Sequence, residues 1–191
     1  RWGTENEVNG VNEYTLQTGR HVDSTGFHMH PFIDFIGGSP DGLVDDKGMI
    51  EVKCPYSKKL SFEVPLHYYP QINMLLEITG REWCDYVCWT PEETVIVRVK
   101  ANKDAFAYYL DYYRRFFGCL RLEDRAGVKL DKGTVAEIKE KTKEFVAQDT
   151  QDVFDISKSN VDSNDRPGDA FKGLEQAATH GTSTEECPGA R

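Results

Sequence analysis

The chain has 191 residues, of which 39% are hydrophobic and 12% aromatic, enough for one sizeable core. Its formal net charge of −9 argues against a broad basic surface for nucleic acid, although it is compatible with a local phosphate site. The sequence has no apolar run as long as a membrane span and no secretion signal at its start, so we expect no membrane partner. Five cysteines at irregular spacing suggest reduced thiols, hence an intracellular protein, in the nucleus or the cytoplasm.

Hydrophobic periodicity and turn residues predict helices and strands in alternation. In chain order, we predict a helix over 3–18, strands over 32–36, 42–44 and 49–54, a helix over 66–79, strands over 83–90 and 94–99, and a helix over 103–121. Turns at 45–48 and 91–93 make hairpins of the strands beside them. This order predicts a mixed α/β domain with a central mixed sheet flanked by helices.

The aromatic residues place the folded unit before about residue 120. All three Trp, all nine Tyr and seven of the ten Phe precede Cys119. We expect a folded domain at 1–120, a charged and partly helical extension at 121–148, and a disordered tail at 149–191, which is rich in small polar residues. The chain begins at Arg1 without Met, in what reads as the middle of a helix, which suggests that an N-terminal part of the domain is missing.

Asp41, Glu51 and Lys53 form the constellation that can carry chemistry. Asp41 precedes the first hairpin, and strand alternation sends Glu51 and Lys53 out of one face of its second strand. Two carboxylates from neighbouring strands can hold Mg²⁺, and the backbone carbonyl of Val52 can add a ligand. The metal would lower the pKa of a bound water for attack on a phosphodiester, while Lys53 would position that water or stabilise the phosphate charge.

The same three residues also have an ordinary structural explanation. Asp41 and Gly42 can be a simple turn, and Glu51 with Lys53 can be a salt pair on a solvated sheet face. On these residues alone that explanation is favoured, so the choice depends on the surrounding sequence.

Two segments around these residues carry a more specific signal. They read Gly38-Ser39-Pro40-Asp41-Gly42-Leu43-Val44 and Glu51-Val52-Lys53-Cys54-Pro55-Tyr56. Together they resemble the YqaJ-like viral recombinase family, relatives of phage lambda exonuclease in the PD-(D/E)xK nuclease superfamily. The segments 2–7, 69–71 and 83–86 are similar to further family elements, so the resemblance spans roughly residues 1 to 118. It implies a restriction-endonuclease-like PD-(D/E)xK core.

The resemblance assigns roles to individual residues. It implies that Asp41 and Glu51 are catalytic metal ligands and that Lys53 is the catalytic lysine. The register of the motif makes Glu7, rather than Glu5, the counterpart of the family's helix carboxylate near the metals. The alternative for either residue is a solvated carboxylate on the helix surface. Gln71 is implied to line the catalytic site; exposure on the outer face of its helix is the alternative.

The function implied is a Mg²⁺-dependent exodeoxyribonuclease, with Mn²⁺ as a substitute, that digests double-stranded DNA ends 5′ to 3′ in recombination or repair. Relatives of the lambda type form homotrimers, and the segment after residue 120 could recruit a single-strand annealing protein. Two alternatives stay open. A catalytically silent DNA-binding module would fit the acidic charge, and an endonuclease would use the same site.

Several other residues carry weaker signals. His28 with His30, and Cys84 with Cys88, have metal-like spacing, but a structural role is favoured for both pairs. Candidate phosphate contacts are Lys58, Lys59, Arg98, Arg114 and Arg115, and Tyr56 and Ser57 are candidates for contact with the DNA backbone. For the basic residues a solvated surface position is the favoured explanation, and for Tyr56 and Ser57 it is an equally good one.

Overall fold

The computed structural model of the protein describes residues 2–57, 59–121 and 129–153. Four helices are present in this part of the chain: α1 (Trp2–Thr18), α2 (Tyr69–Thr79), α3 (Lys103–Arg121) and α4 (Lys132–Asp149). Its strands are β1 (Val22–Asp23), β2 (His28–Met29), β3 (Gly37–Gly38), β4 (Gly42–Val44), β5 (Gly48–Lys53), β6 (Trp83–Trp89), β7 (Thr94–Lys100) and β8 (Thr150–Asp152). None of the described helices is long and apolar enough to cross a membrane.

A six-stranded mixed sheet forms the centre of the fold, in the order β1-β4-β5-β6-β7-β8. Strands β5 and β6 pair in parallel because α2 carries the chain back across the sheet between them, and all other neighbours pair antiparallel. Strands β2 and β3 form a separate two-stranded ribbon. The predicted mixed α/β fold with a central sheet flanked by helices is confirmed.

The alternation of side chains along β5 divides the core between the two faces of the sheet. Met49 packs in a cluster with residues of α2, α3 and α4, whereas Ile50 and Val52 pack in a second cluster with Tyr14 of α1. Because the side-chain period of a strand is two, Glu51 and Lys53 share the face of Met49. They therefore face the side of the sheet that α2 covers.

The structure contradicts one predicted strand. Residues 32–36 form bends and a turn between β2 and β3, closed by a 2.8 Å hydrogen bond from the His30 amide to the Ile36 carbonyl. Ile36 is buried against Ile78 and Phe106, while Phe32 is 91% exposed. The prediction was wrong because a short apolar run has no periodicity that separates a strand from a loop with one anchoring side chain.

The chain beyond residue 120 contributes to the same core. Helix α4 covers the predicted helical stretch, and its Phe145 stacks on Tyr69 with ring centroids 6.3 Å apart. Asp149 is buried and accepts a hydrogen bond from the Tyr69 hydroxyl, and β8 then pairs with β7 at the edge of the sheet. Residues 154–191, most of the predicted tail, lie outside the described residues.

Candidate active site

The end of β5 brings the predicted carboxylates and lysine together. Glu51 is only 1% exposed, and its side chain accepts a hydrogen bond from the Lys53 ammonium. A carboxylate buried to this degree is not part of a solvated salt pair, so the structure argues against the ordinary explanation for this pair.

Asp41 joins the same site from the residue before β4. Gly42 pairs with Ile50 across the sheet, which places Asp41 beside the second half of β5. The Val52 amide donates a 2.7 Å hydrogen bond to Asp41 Oδ2. The backbone of β5 therefore holds the Asp41 carboxylate in place.

Gln71 holds Glu51 from the other side. Its Nε2 donates a 2.7 Å hydrogen bond to Glu51 Oε1, the oxygen that also accepts from Lys53. The second oxygen, Glu51 Oε2, is buried without a hydrogen-bond partner among the described residues. A buried carboxylate oxygen in this state is costly, and it is available to an incoming cation.

A cleft of about 450 Å³ opens at this end of the sheet. Its walls include Glu7, Asp41, Val52 and Lys53. Glu51 does not line the cleft itself. Its side chain accepts a hydrogen bond from Lys53, and Lys53 does line the cleft. Glu7, Asp41 and Lys53 thus line one cavity, and Glu51 and Gln71 lie behind its wall.

The structure also separates Glu7 from Glu5. Glu7 is half-buried and lines the cleft, whereas Glu5 is exposed. Burial raises the pKa of Glu7, and the negative charge of Asp41 raises it further. The placement agrees with the choice of Glu7 from the motif.

The carboxylates of the site destabilise one another in their charged forms. Burial raises the pKa of Glu51, and the charge of Asp41 adds to this, while Lys53 and Gln71 act in the opposite direction. Burial likewise raises the pKa of Asp41 against the opposing effects of the Val52 amide and Lys53. Excess negative charge of this kind favours the binding of a cation.

Lys53 stays protonated in this setting. Burial by itself would lower the pKa of its ammonium, but the charge and hydrogen bond of Glu51, together with the charge of Asp41, outweigh this effect, and the net pKa is raised. The Lys53 ammonium is therefore a positive charge at neutral pH, suited to hold a phosphate oxygen rather than to act as a base.

The donor set fits a hard divalent cation in its chemistry. The carboxylates of Asp41 and Glu51 and the carbonyl of Val52 are oxygen donors of the kind that Mg²⁺ and Mn²⁺ prefer. The unpartnered Glu51 oxygen supports this fit. Within residues 2–57, 59–121 and 129–153, no three His, Cys, Asp or Glu side chains cluster closely enough to hold a metal by themselves. A backbone carbonyl and water would complete the coordination.

Of the other sequence candidates, Lys59 and Cys88 line the cleft, whereas His28, His30, Cys84 and Arg98 do not. His28 hydrogen-bonds Thr25, and His30 stacks on Phe106 at 5.7 Å, so both have structural contacts. Arg98 binds the buried Asp85 through two hydrogen bonds of 2.7 and 2.8 Å. Cys84 and Cys88 are buried free thiols. Among the basic candidates, Lys59 lines the cleft, and Lys58 lies outside the described residues.

Tyr68 is a site residue that the sequence patterns did not single out. The Lys53 ammonium lies 4.9 Å from the centroid of its ring, a cation–π distance. Tyr68 stands immediately before α2, so it reaches the lysine from the helix that also carries Gln71. In the sequence, the feature that could have identified Tyr68 is its position as an aromatic residue three positions before Gln71.

We expect Tyr68→Leu to slow catalysis while Tyr68→Phe does not. The leucine removes the ring face that holds Lys53, a contact of about 0.5–2 kcal/mol, which corresponds to a fall of up to roughly thirtyfold. Measuring kcat and KM separately for the two variants checks this. If phenylalanine were as harmful as leucine, the hydroxyl rather than the ring would be responsible.

Gly10 sets the distance between α1 and the sheet. A Cβ at this position would stand 2.5 Å from Val52 Cγ1 and 3.3 Å from the Cβ of Trp89. With any other residue at this position, either the Val52 side chain or the helix would have to shift. Since Glu7 lies one turn earlier on α1, Gly10 also determines where Glu7 stands.

We expect Gly10→Ala to lower both stability and activity. Overpacking costs about 1–3 kcal/mol, more than the gain of up to about 1 kcal/mol in helix propensity. Gly118→Ala is the matched control, because a Cβ there meets nothing within 4 Å. Urea unfolding of both variants, with activity measured in parallel, checks this; equal stability of the two would show that α1 can shift freely.

The comparisons with known proteins agree with this geometry. The family model of the YqaJ-like viral recombinase domain matches residues 1–82. The crystal structure of an alkaline exonuclease, LHK-Exo, from Laribacter hongkongensis is similar to the chain at 26% identity and a TM-score of 0.52. The similarity covers 76% of this chain and 71% of that one. The complex of LHK-Exo with dAMP matches with the same values, and no curated protein matches the chain.

These similarities confirm the resemblance and the fold predicted from the two motif segments. The match to the family model includes Glu7, Asp41, Glu51, Lys53 and Gln71. Residues 1–82 therefore match the YqaJ-like viral recombinase family, on a PD-(D/E)xK-type nuclease fold shared with alkaline exonuclease.

Proposed function

We propose that the protein hydrolyses phosphodiester bonds of DNA at the cleft formed by Glu7, Asp41 and Lys53. The observation that carries the proposal is the buried Glu51, whose one oxygen is held by Lys53 and Gln71 while the other has no partner in the described residues. This arrangement keeps a carboxylate and a protonated lysine side by side in a cavity, which suits metal-assisted attack on a phosphate.

The charge of each residue determines its role in the proposed reaction. Asp41, Glu51 and the Val52 carbonyl would hold Mg²⁺, or Mn²⁺ in its place, which lowers the pKa of bound water to supply the nucleophile. Lys53 donates to the attacked phosphate and offsets the charge that builds on its oxygens. Gln71 fixes the orientation of Glu51.

Glu7 completes the ring of carboxylates from α1. It lines the cleft with Asp41, and their negative charges interact. We assign it as a further oxygen ligand, supplied by α1 rather than by the sheet. Its raised pKa is consistent with a position that a cation normally neutralises.

The substrate class follows from the relatives. LHK-Exo is an alkaline exonuclease whose crystals include a dAMP complex, which favours DNA as the polymer cut here. Action on double-stranded ends with 5′ to 3′ polarity, a role in recombination or repair, a homotrimer and an annealing-protein partner rest on the family resemblance alone.

The test is digestion of linear duplex DNA labelled at either the 5′ or the 3′ end. We expect label loss with Mg²⁺, none with EDTA, and no cutting of a covalently closed circle. Order of label release gives the polarity. Lys53→Ala should abolish the activity without unfolding the protein.

Two outcomes would replace this proposal. Cutting of the closed circle would make the protein an endonuclease with the same site. Binding of DNA without any cutting in Mg²⁺ or Mn²⁺ would make it a catalytically silent binding module.

A further inference from the structure

A half-buried tryptophan and an exposed tyrosine meet close to the cleft. The rings of Trp2 and Tyr56 meet edge to face, with centroids 6.0 Å apart and an angle of 86° between the planes. Tyr56 is 83% exposed. Most of the Tyr56 ring is therefore accessible to a ligand.

The neighbours of both rings line the cleft. Gly3 follows Trp2 directly, and Cys54 and Pro55 connect Lys53 to Tyr56. Three residues of extended chain span at most about 11 Å, so Tyr56 is within that reach of the catalytic lysine. The pair therefore lies next to the place where a phosphate would bind.

We propose that Trp2 and Tyr56 form a stacking platform for the nucleobase next to the phosphate bound at Lys53. The inference rests on the proposed nuclease function and deepens it. Aromatic side chains stack on any base, which gives affinity for DNA without sequence preference. The edge-to-face contact with Trp2 fixes the Tyr56 ring before the base arrives, which lowers the entropy lost on binding.

The charge of the protein favours this kind of contact. A net charge of −9 limits the affinity that phosphate contacts alone can supply. Stacking adds a contribution that does not depend on neutralising phosphates. The alternative, a hydrogen bond from the Tyr56 hydroxyl to the DNA backbone, would use the hydroxyl and not the ring.

The test is a comparison of two duplexes that differ only in their bases. Both have the same backbone, and one lacks the bases of its two terminal nucleotides. Binding of the full chain is measured in EDTA by fluorescence anisotropy, so no cutting is required. We expect Tyr56→Ala to weaken binding of the intact duplex by about 5- to 100-fold and to leave binding of the abasic duplex nearly unchanged.

Matched variants identify the part of the side chain that acts. Tyr56→Phe should bind like the wild type, since the ring is kept. Phe32→Ala should also bind like the wild type, because Phe32 is a similarly exposed ring, at 91%, but neither it nor its two chain neighbours line the cleft. Melting curves should be unchanged in all three variants, given the exposure of the side chains.

The outcomes separate this inference from the proposed nuclease. Equal weakening of both duplexes by Tyr56→Ala, a loss with Tyr56→Phe as large as with alanine, or no binding by the wild type would overturn the platform. Base-dependent binding in a protein that never cuts would uphold the platform and remove the nuclease. Cutting by a protein whose DNA binding does not depend on the terminal bases would uphold the nuclease and overturn the platform.

Discussion

Replacing Asp41 with asparagine is expected to slow cleavage by about 10²–10³-fold and to leave the fold as stable as before, or more stable. The amide oxygen of asparagine can still accept the hydrogen bond that the Val52 amide donates to Asp41. The substitution removes only the negative charge. Because burial raises the pKa of Asp41, the charged form is the one that the folded protein disfavours. Its loss should therefore not unfold the protein.

The effect on catalysis should be large. In the proposed mechanism, Asp41 is a ligand for the cation, so its replacement would weaken cation binding and the field that organises the attacking water. Removal of one group that stabilises a transition state typically lowers kcat by about 10²–10³-fold. The rate of nucleotide release from linear duplex DNA measures this, and urea unfolding measures stability.

Asp45→Asn is the matched control for this variant. Asp45 is an exposed carboxylate in the β4–β5 turn, paired with Arg20, and it does not line the cleft. The same chemical change there should alter activity less than twofold and stability by less than about 0.5 kcal/mol. Normal cleavage by Asp41→Asn would mean that Asp41 is only a turn residue.

Local sequence was sufficient to predict the hairpin that carries the site. Strands β4 and β5 are separated by a turn with Asp45 at φ 49°, and alternation along β5 correctly put Glu51 and Lys53 on one face. Helix α3 also matches its predicted range, 103–121. These elements depend on residues close to each other in the chain, which is why patterns of spacing describe them well.

The burial of Glu51 could not be predicted in this way. On pattern alone, a carboxylate two residues before a lysine in a strand most often forms a solvent-exposed salt pair with it. It is buried here because α2 lies over that face of β5 and brings Gln71 and Tyr68 to the pair. The contact between segments 20 residues apart in sequence is a property of the tertiary structure, and only the family resemblance anticipated part of it.

The role of Gly10 shows the same limit. In the sequence it is a helix-weakening residue in the middle of α1, with no visible reason to be there. The structure gives the reason, since Val52 and Trp89 approach its Cα too closely for any side chain. Phe145 is a second example of a role that the sequence does not reveal. It is an aromatic residue in a charged stretch, and it belongs to the core because α4 packs on α2.

Divalent cations are expected to raise the melting temperature of the wild type but hardly that of Glu51→Gln. A ligand that binds only the folded state at 100 times its Kd adds about 2.7 kcal/mol. For a domain of this size, that corresponds to roughly 5–10 °C. Glutamine keeps an oxygen for Lys53 but removes the charge that attracts the cation, so its shift should be small.

Without cations, we expect Glu51→Gln to be more stable than the wild type at neutral pH. The pKa of Glu51 is raised in the folded protein above its ordinary value of 4.5, first by burial and then by Asp41. Below pH 4.5 the group is protonated whether the chain is folded or not, so its charge has no effect on stability there. Between pH 4.5 and the raised pKa, the unfolded chain loses this proton while the folded chain keeps it, so the folded state loses stability as the pH rises, and above the raised pKa the loss is complete. Glu51→Gln should thus be more stable than the wild type at pH 7 in EDTA, and this difference should vanish by about pH 4.

Glu5→Gln is the control that makes these melting experiments decisive. It removes the same charge from an exposed position on α1, two residues from Glu7. We expect the wild-type response to cations and the wild-type dependence on pH from this variant. If Glu51→Gln responded to Mg²⁺ and Mn²⁺ as strongly as Glu5→Gln does, Glu51 would not be a ligand, and its burial beside Lys53 would serve the fold alone.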